Sequence, residues 1–165
     1  NIKHVKIKAM NKLYVLVGVP GSGKSTWIKN QPWALGLTVV STDAFVEDYA
    51  RAQGKTYSEV FEEYMPTAID LMIQQVVFAR EHGHTIIWDQ TSTTIKSRAK
   101  KFRMLPDYYK IAVVFETPSK ELHAKMLNRP GKEIPDEIVQ DMIDKFEMPT
   151  TAEGFDQVLL VKAKS

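Results

Sequence analysis

The glycine-rich run from Gly18 to Ser25 is the part of this chain with the most specific chemistry. It reads GVPGSGKS, which satisfies the phosphate-loop pattern G-x-x-x-x-G-K-[ST] in full. Glycines let the backbone curl so that successive N–H groups point at one anion, and a following helix N-terminus adds partial positive charge. Lys24 offers a mobile charge to terminal phosphates, and the Ser25 hydroxyl is the hard oxygen ligand that Mg²⁺ prefers. The pattern predicts that the chain binds ATP with Mg²⁺. The candidate nucleotide-binding residues are Gly18, Pro20, Gly21, Ser22, Gly23, Lys24, Ser25 and Thr26, with Ser25 as the metal ligand.

Two aspartates and an arginine are candidates for the other groups that phosphoryl transfer needs. Asp43 follows the second predicted strand and Asp89 the third, and ligands of open parallel sheets bind beyond the carboxyl ends of the strands. Arg129 lies in a loop between two predicted helices, where a mobile cation could reach the transferring group. Each residue also has a simpler interpretation. Asp43 could only cap a helix that begins at Ala44, Asp89 could be a turn or capping residue, and Arg129 could be a surface arginine.

A basic segment follows the third predicted strand. Residues 96 to 103 read KSRAKKFR, with five basic residues in eight and no acid. Lys96, Lys100 and Arg103 recur at the spacing of one helix face, flanked by Arg98 and Lys101. A solvated helix face is the simpler interpretation. A nucleic-acid partner is the alternative, because such a strip could hold backbone phosphates.

Strands and helices alternate along the chain, which predicts how these residues are positioned. Apolar runs predict strands at 13–17, 37–40, 85–88, 111–115 and 157–161, and helical patterns fill the intervals. Thr56 and Glu59 form a capping box that opens the longest helix, Pro66 should kink it, and Gly83 should end it. We therefore predict an α/β fold with three layers, in which helices cover both faces of a parallel five-stranded sheet and a short lid lies over the site. Residues 11–165 should form one domain, and residues 1–10 should be an extension.

Composition and missing motifs exclude several classes of protein. There is no cysteine, so disulfides and thiolate metal sites are excluded, and the four histidines show no metal-ligand grouping. We expect these histidines at the surface or at helix ends. No apolar run is long enough to span a membrane and no signal-peptide pattern is present, so we expect a cytoplasmic protein without membrane contact. A GTPase would need a base-reading N-K-x-D or T-K-x-D motif, and a motor ATPase a glutamate where Gln90 follows Asp89. A kinase is therefore favoured.

Taken together, the motifs resemble the phage-type polynucleotide 5′-kinase domain. The resemblance covers roughly residues 11 to 146. It rests on GVPGSGKSTW, on STD after the second strand, on DQTS after the third, and on NRPGKEIP before a C-terminal helix. It implies that Asp43 is the general base for the acceptor hydroxyl and that Arg129 contacts the transferring phosphate. It also implies that Asp89, Thr91 and Ser92 correspond to the family's D-T-N, on the substrate side of the site.

Two departures from the family accompany the resemblance. Val46 stands where the family often has an arginine that helps to bind a substrate phosphate. The D-x-D-x-T motif of the phosphatase domain found in some members is absent, so no end-trimming activity is expected.

The expected function is an ATP-dependent polynucleotide 5′-hydroxyl kinase of the kind used in nucleic-acid repair, acting on DNA or RNA ends. Lys96, Lys100 and Arg103 would then hold the backbone of the substrate. Two alternatives stay open. The chain could be a small-molecule kinase for a nucleoside, sugar or antibiotic, or a nucleotide-binding module without catalysis.

Overall fold

A computed structural model describes residues 10–32 and 36–163. Most of the predicted 1–10 extension, including His4, lies outside the described residues. All five predicted strands form. They are β1 (Lys12–Val17), β2 (Leu37–Val40), β3 (Thr85–Trp88), β4 (Tyr109–Phe115) and β5 (Gln157–Val161). They make one sheet in the order β2-β3-β1-β4-β5, and every neighbouring pair is parallel. The carboxyl ends of the strands therefore lie at one edge of the sheet, as the sequence predicted.

Helices fill the intervals between the strands. They are α1 (Lys24–Lys29), α2 (Asp43–Gln53), α3 (Tyr57–Glu81), α4 (Ile95–Met104), α5 (Lys120–Leu127) and α6 (Asp136–Asp144). The predicted capping box opens α3, since Glu59 N donates to Thr56 Oγ1 and Thr56 N donates to Glu59 Oε1. The helix continues through Pro66 for 25 residues and ends just before Gly83. In the described part of the chain, no helix is long and apolar enough to cross a membrane.

Two apolar layers hold helices against opposite faces of the sheet. Side chains of successive strand residues point to opposite faces, so Leu13, Val15 and Val17 pack together with Met72 and Val76 of α3. On the opposite face of the sheet, Leu16 of β1 packs in a second cluster with Trp27 and Ile28 of α1. The predicted three-layer α/β fold is confirmed. A sheet clamped in this way gives the loops at its carboxyl edge a rigid base.

The basic segment differs from the prediction at two of its five charges. Arg98 is fully buried, and its Nε donates to Glu153 Oε1 at 2.6 Å. Its other nitrogens donate to the carbonyls of Ser92 (2.8 Å) and Glu147 (2.9 Å). Each of the three guanidinium nitrogens thus has an acceptor, which is the condition under which an arginine can be buried.

Lys101 is also buried rather than exposed. Its Nζ lies 5.3 Å from the ring centre of Trp88 and donates to the carbonyl of Ser97. Burial, with the nearby charge of Arg98 adding to it, lowers the pKa of Lys101 to about 8. Arg98 and Lys101 are buried for the same reason: a ten-residue helix on a sheet must bury one of its faces. The exposed cations of α4 are Lys96, Lys100 and Arg103.

Candidate functional site

The phosphate loop connects β1 to α1 and curls as the sequence predicted. Gly21 and Gly23 have φ angles of 72° and 100°, in the left-handed region that L side chains rarely adopt. The Lys24 ammonium lies across this loop, donating to the carbonyls of Gly18 (2.8 Å) and Val19 (2.9 Å). The loop thus presents its lysine, its backbone and the start of α1 to one volume of space.

Two other parts of the chain hold the loop in place. Gly18 N donates to the carbonyl of Thr91 at 3.0 Å. His123 of α5 lies with Nε2 2.7 Å from the carbonyl oxygen of Pro20. The side chains of α5 also limit Gly21, because a Cβ added there would lie 3.0 Å from Leu127. The expectation of a surface or helix-terminal histidine is therefore wrong for His123, which is buried inside α5 against the loop.

A cavity of about 660 Å³ opens over the loop at the carboxyl edge of the sheet. The predicted site residues that line it are Pro20, Gly21, Ser22, Gly23, Lys24, Ser25, Thr26, Asp43, Asp89, Thr91 and Arg129. Ser92 lies beneath this surface, buried and with a φ of 45°. Lys96, Lys100 and Arg103 are not among the lining residues, because α4 leads away from the edge at which β3 ends.

Asp43 is held by two side chains that the sequence analysis did not identify. Its Oδ1 accepts a hydrogen bond from the Tyr57 hydroxyl at 2.6 Å, and its Oδ2 accepts one from Lys132 Nζ at 2.8 Å. The helix begins at Asp43 rather than at Ala44, Thr42 is its N-cap, and Ser41 Oγ accepts a hydrogen bond from Asp43 N. The interpretation of Asp43 as only a helix cap is therefore wrong, because its carboxylate turns into the cavity.

Opposing effects set the protonation of Asp43. Burial by itself would raise its pKa, but the charge and hydrogen bond of Lys132, and then the hydrogen bond of Tyr57, outweigh burial and lower it. Asp43 is consequently ionised at neutral pH. A carboxylate in this state accepts hydrogen bonds only, so it can orient a hydroxyl donor and then take its proton.

Asp89 and Lys24 respond to the same cavity in opposite directions. Burial raises the pKa of Asp89, against the influence of Lys24. Burial lowers the pKa of Lys24 to about 8, and the charges of Asp89 and Asp43 oppose that shift. The charges of Lys24, Asp43 and Asp89 influence one another's pKa values, so their protonation states are linked. A bound polyphosphate would favour the charged form of Lys24.

The loop of residues 128–135, between α5 and α6, supplies two cations to the mouth of the cavity. It is attached to the start of α3, because Ser58 N donates to the carbonyl of Gly131 (3.1 Å) and Glu133 N donates to Ser58 Oγ (3.0 Å). Arg129 is exposed at the mouth. Lys132 lies deeper, with Nζ 4.4 Å from the ring centre of Tyr57. Lys132 could have been identified from the sequence, because it is a second cation in the same loop, three residues after Arg129.

The wall that α3 and α6 contribute to the cavity is mainly apolar, with acidic residues beside it. It contains Phe61 and Met65 of α3 and Ile138 and Met142 of α6. Glu59, Glu62 and Glu133 also line the cavity. This wall suits an uncharged portion of a ligand and repels phosphate.

The oxygen ligands in the cavity fit a magnesium–nucleotide complex. The Ser25 hydroxyl, at the start of α1, and the Asp89 carboxylate both line the same volume. Within the described ranges, no group of three or more metal-ligating side chains occurs. That arrangement agrees with the habit of Mg²⁺ to bind through substrate phosphates, water and one or two protein oxygens.

A parallel sheet covered on both faces, with a phosphate loop after its first strand, defines a P-loop kinase-like fold. The family model of the AAA domain (AAA_33) matches residues 13–149, so the chain belongs to this family.

Relatives and solved structures agree with that assignment. The chain is 24% identical to the L-seryl-tRNA(Sec) kinase of Methanococcus maripaludis over 146 residues, which cover 87% of this chain and 56% of the relative. It is 27% identical to the bifunctional polynucleotide phosphatase/kinase of Schizosaccharomyces pombe over 168 aligned positions, or 94% of this chain and 34% of the relative. It thus spans between a third and somewhat over half of these relatives. Among solved structures, a chain of the PezAT chromosomal toxin–antitoxin system of Streptococcus pneumoniae matches with a TM-score of 0.68 and 17% identity, covering 97% of this chain and 75% of that one. The two relatives are named as kinases, and the solved structure shows that the fold is shared.

Proposed function

We propose that this chain is an ATP-dependent kinase that transfers the γ-phosphoryl group of ATP to the 5′-hydroxyl end of DNA or RNA. The observation that carries the proposal is that the phosphate loop, Asp43 and Arg129 all line one cavity. Phosphoryl transfer needs positioning and charge stabilisation more than covalent help from the protein. These three parts supply both.

The reaction assigns one task to each side chain. The acceptor oxygen forms a bond to the γ-phosphorus of ATP, the bond from that phosphorus to the β,γ-bridging oxygen breaks, and ADP leaves. Asp43 accepts the proton of the acceptor hydroxyl. Lys24 and Arg129 stabilise the charge on the phosphoryl oxygens in the transition state.

Magnesium is the metal that this arrangement fits. Ser25 would hold it, and Asp89 would act through a bound water or would orient its neighbours. The ion would neutralise charge on the β- and γ-phosphate oxygens. The protein's own residues do the remaining work of binding, orientation and proton transfer.

Two similarities support a polynucleotide acceptor. The S. pombe relative aligned over 94% of this chain is a bifunctional polynucleotide phosphatase/kinase. The placement of Asp43, Asp89 and Arg129 resembles that of polynucleotide 5′-kinase domains.

A small-molecule acceptor is the second candidate, and the apolar wall favours it. Phe61, Met65, Ile138 and Met142 all line the cavity and give part of it an apolar surface. That part would suit a nucleoside or an antibiotic better than a nucleic-acid backbone.

Labelled ATP with Mg²⁺ and a panel of acceptors tests the proposal. The panel contains 5′-hydroxyl DNA and RNA oligonucleotides, nucleosides and sugars. We expect label at the 5′ end of oligonucleotides, and poor labelling of nucleosides and sugars. Efficient labelling of a nucleoside or sugar, with no labelled oligonucleotide, would replace the proposal with the second candidate.

Asp43→Asn is the variant that tests the mechanism. It preserves the shape of the side chain but removes its charge and its capacity to take a proton. We expect turnover to fall by roughly 10²- to 10⁴-fold, the usual scale for loss of a general base, with ATP affinity almost unchanged. Lys24→Ala is the comparison variant, in which nucleotide binding itself should be impaired. Near-normal turnover of Asp43→Asn would show that Asp43 does not act as the general base.

A further inference from the structure

A second recess adjoins the main cavity, next to the end of α2 and the start of α3. Its volume is about 450 Å³, and it lies between the turn that joins those helices and the 128–135 loop. We call it the α2–α3 recess. Its charged lining residues are Arg51, Lys55, Arg129, Lys132 and Glu47. Four cations against one carboxylate make it a basic surface.

The recess begins where the main cavity reaches Asp43. Tyr57, Arg129 and Lys132 line both spaces. Tyr57 and Lys132 each hydrogen-bond to the Asp43 carboxylate. A molecule whose hydroxyl lies at Asp43 therefore has the recess as its next surface.

The walls of the recess are tied together by backbone contacts. The 128–135 loop is bonded to Ser58 through the carbonyl of Gly131 and the N–H of Glu133. A Cβ added at Gly131 would lie 3.3 Å from Thr56, which shows how closely the loop approaches the start of α3. The cations on the two sides consequently face one space at a fixed separation.

The charges of the recess are available to a ligand. Arg51 has one ion pair, with Asp48 at 3.0 Å, and both side chains are mostly exposed. Exposed pairs of this kind contribute little and exchange easily for a stronger anion. Lys55 is exposed as well. Lys132 is held by Asp43 and lies 3.7 Å from Glu47, so Arg51, Lys55 and Arg129 are the freer cations.

The surfaces around Asp43 differ sharply in charge. Beside its apolar wall, the main cavity is lined by Glu59, Glu62 and Glu133, whose carboxylates would repel a phosphodiester. The exposed cations of α4 are absent from both linings. Among the surfaces that the described residues form next to Asp43, the recess is the one outside the phosphate loop that is suited to a polyanion.

We propose that the α2–α3 recess binds the first backbone phosphates on the 3′ side of the reacting sugar, with Arg51 and Lys55 as the contacting residues. This assignment rests on the proposed function and names its acceptor subsite. The chemistry recognised is a phosphate one sugar away from the acceptor hydroxyl. We assign it to a nucleic-acid strand rather than to a phosphorylated small molecule.

The double variant Arg51→Gln/Lys55→Gln tests the assignment. With labelled ATP, we expect its KM for a 5′-hydroxyl oligonucleotide to rise by roughly 5- to 20-fold, with the KM for ATP within about twofold of wild type. The slope of log affinity against log salt should become shallower by about one to two, because fewer counterions are released. Lys96→Gln/Lys100→Gln removes the same charge from α4, the surface that the sequence predicted, and neither residue lines the cavity or the recess. We expect its KM for the oligonucleotide to stay nearly unchanged, and a rise in this variant alone would overturn the recess assignment. Circular dichroism and melting temperature verify that both variants fold.

A series of acceptors distinguishes the sources of the phosphate. The series runs from a nucleoside to a nucleoside 3′-monophosphate, a trinucleotide and a 12-mer. We expect wild type to improve along the series and the recess variant to lose that improvement, while both treat the nucleoside alike. Sensitivity confined to phosphorylated small molecules would overturn the strand assignment.

The activity of wild type on oligonucleotides distinguishes a wrong recess assignment from a wrong proposed function. If wild type phosphorylates oligonucleotides and the recess variant matches it, the recess assignment is wrong and the function stands. If wild type phosphorylates no oligonucleotide of any length, both are wrong.

Discussion

Asp43 receives one partner on each carboxylate oxygen, from two different segments of the chain, and that arrangement fixes its orientation. Tyr57 donates from the first turn of α3, and Lys132 from the 128–135 loop. Only one of these partners is charged, so they differ in what they contribute. Lys132 supplies most of the electrostatic stabilisation of the carboxylate, while Tyr57 supplies direction and a smaller share of its lowered pKa.

Tyr57→Phe removes the hydrogen bond that orients Asp43. It leaves the charge of Lys132 in place, because the ring next to Lys132 remains. Loss of one hydrogen bond to a charged group corresponds to about 1.5 kcal/mol, and turnover should fall roughly tenfold. The hydrogen bond favours ionised Asp43, so its removal raises the Asp43 pKa. The acidic limb of the profile of kcat/KM against pH should therefore move to higher pH. A tyrosine with only a packing role would leave that limb in place.

The α4 helix depends on a single buried arginine. Arg98 connects the helix to the segment before it, through the Ser92 carbonyl, and to the chain after α6, through Glu147 and Glu153. Ser92 immediately follows Thr91, whose carbonyl holds the phosphate loop. The basic segment that looked like a binding surface in the sequence is thus partly a structural connection beneath the site.

Arg98→Met should destabilise the protein strongly, because Glu153 keeps its charge in a buried position. Removing one partner of a buried ion pair costs about 3–5 kcal/mol, or roughly 6–20 °C in Tm for a chain of this size. Thermal unfolding followed by circular dichroism measures the effect. Lys100→Met, an exposed neighbour on the same helix, should change stability by about 0.5 kcal/mol or less. Equal Tm values for the two variants would show that the Arg98 network contributes nothing to stability.

Local patterns predicted the elements, whereas long-range pairing determined the site. The strands, the capping box at Thr56 and the end of α3 follow from residues a few positions apart, so the sequence alone indicates them. The partners of Asp43 are 14 and 89 residues away, and Glu153 is 55 residues from Arg98. No periodicity in the sequence reports such contacts. The order of the strands was unpredicted for the same reason.

At the scale of the whole molecule, a bound nucleotide should contact distant parts of the chain and thereby stabilise the folded state. The cavity is lined by residues from the phosphate loop, from the ends of β2 and β3, and from the 128–135 loop. A ligand that binds only the folded state stabilises it by about 2.7 kcal/mol at one hundred times its Kd.

The thermal shift with ATP and Mg²⁺ measures this effect. We expect Tm to rise by roughly 5–10 °C at saturating ATP, and we expect Lys24→Ala to lose most of that rise. The untreated Tm of the variant should fall by a few degrees at most, since Lys24 lines the cavity and its loss removes two hydrogen bonds, to the carbonyls of Gly18 and Val19. An unchanged shift in the variant would mean that ATP binds elsewhere.

The strand order also has a consequence for the time at which the site comes into being. β2 is second in the chain but lies at the edge of the sheet, where its one neighbour is β3. A growing polypeptide can form the turn at Gly21 early, yet it cannot anchor β2 in the sheet until Thr85–Trp88 has been made and has paired with β1. Sheet pairings between such distant segments form late, because the intervening chain must first be ordered. During synthesis, the phosphate loop and Asp43 should therefore reach their final positions together, since Gly18 N donates to the carbonyl of Thr91, which closely follows β3, the strand that anchors β2.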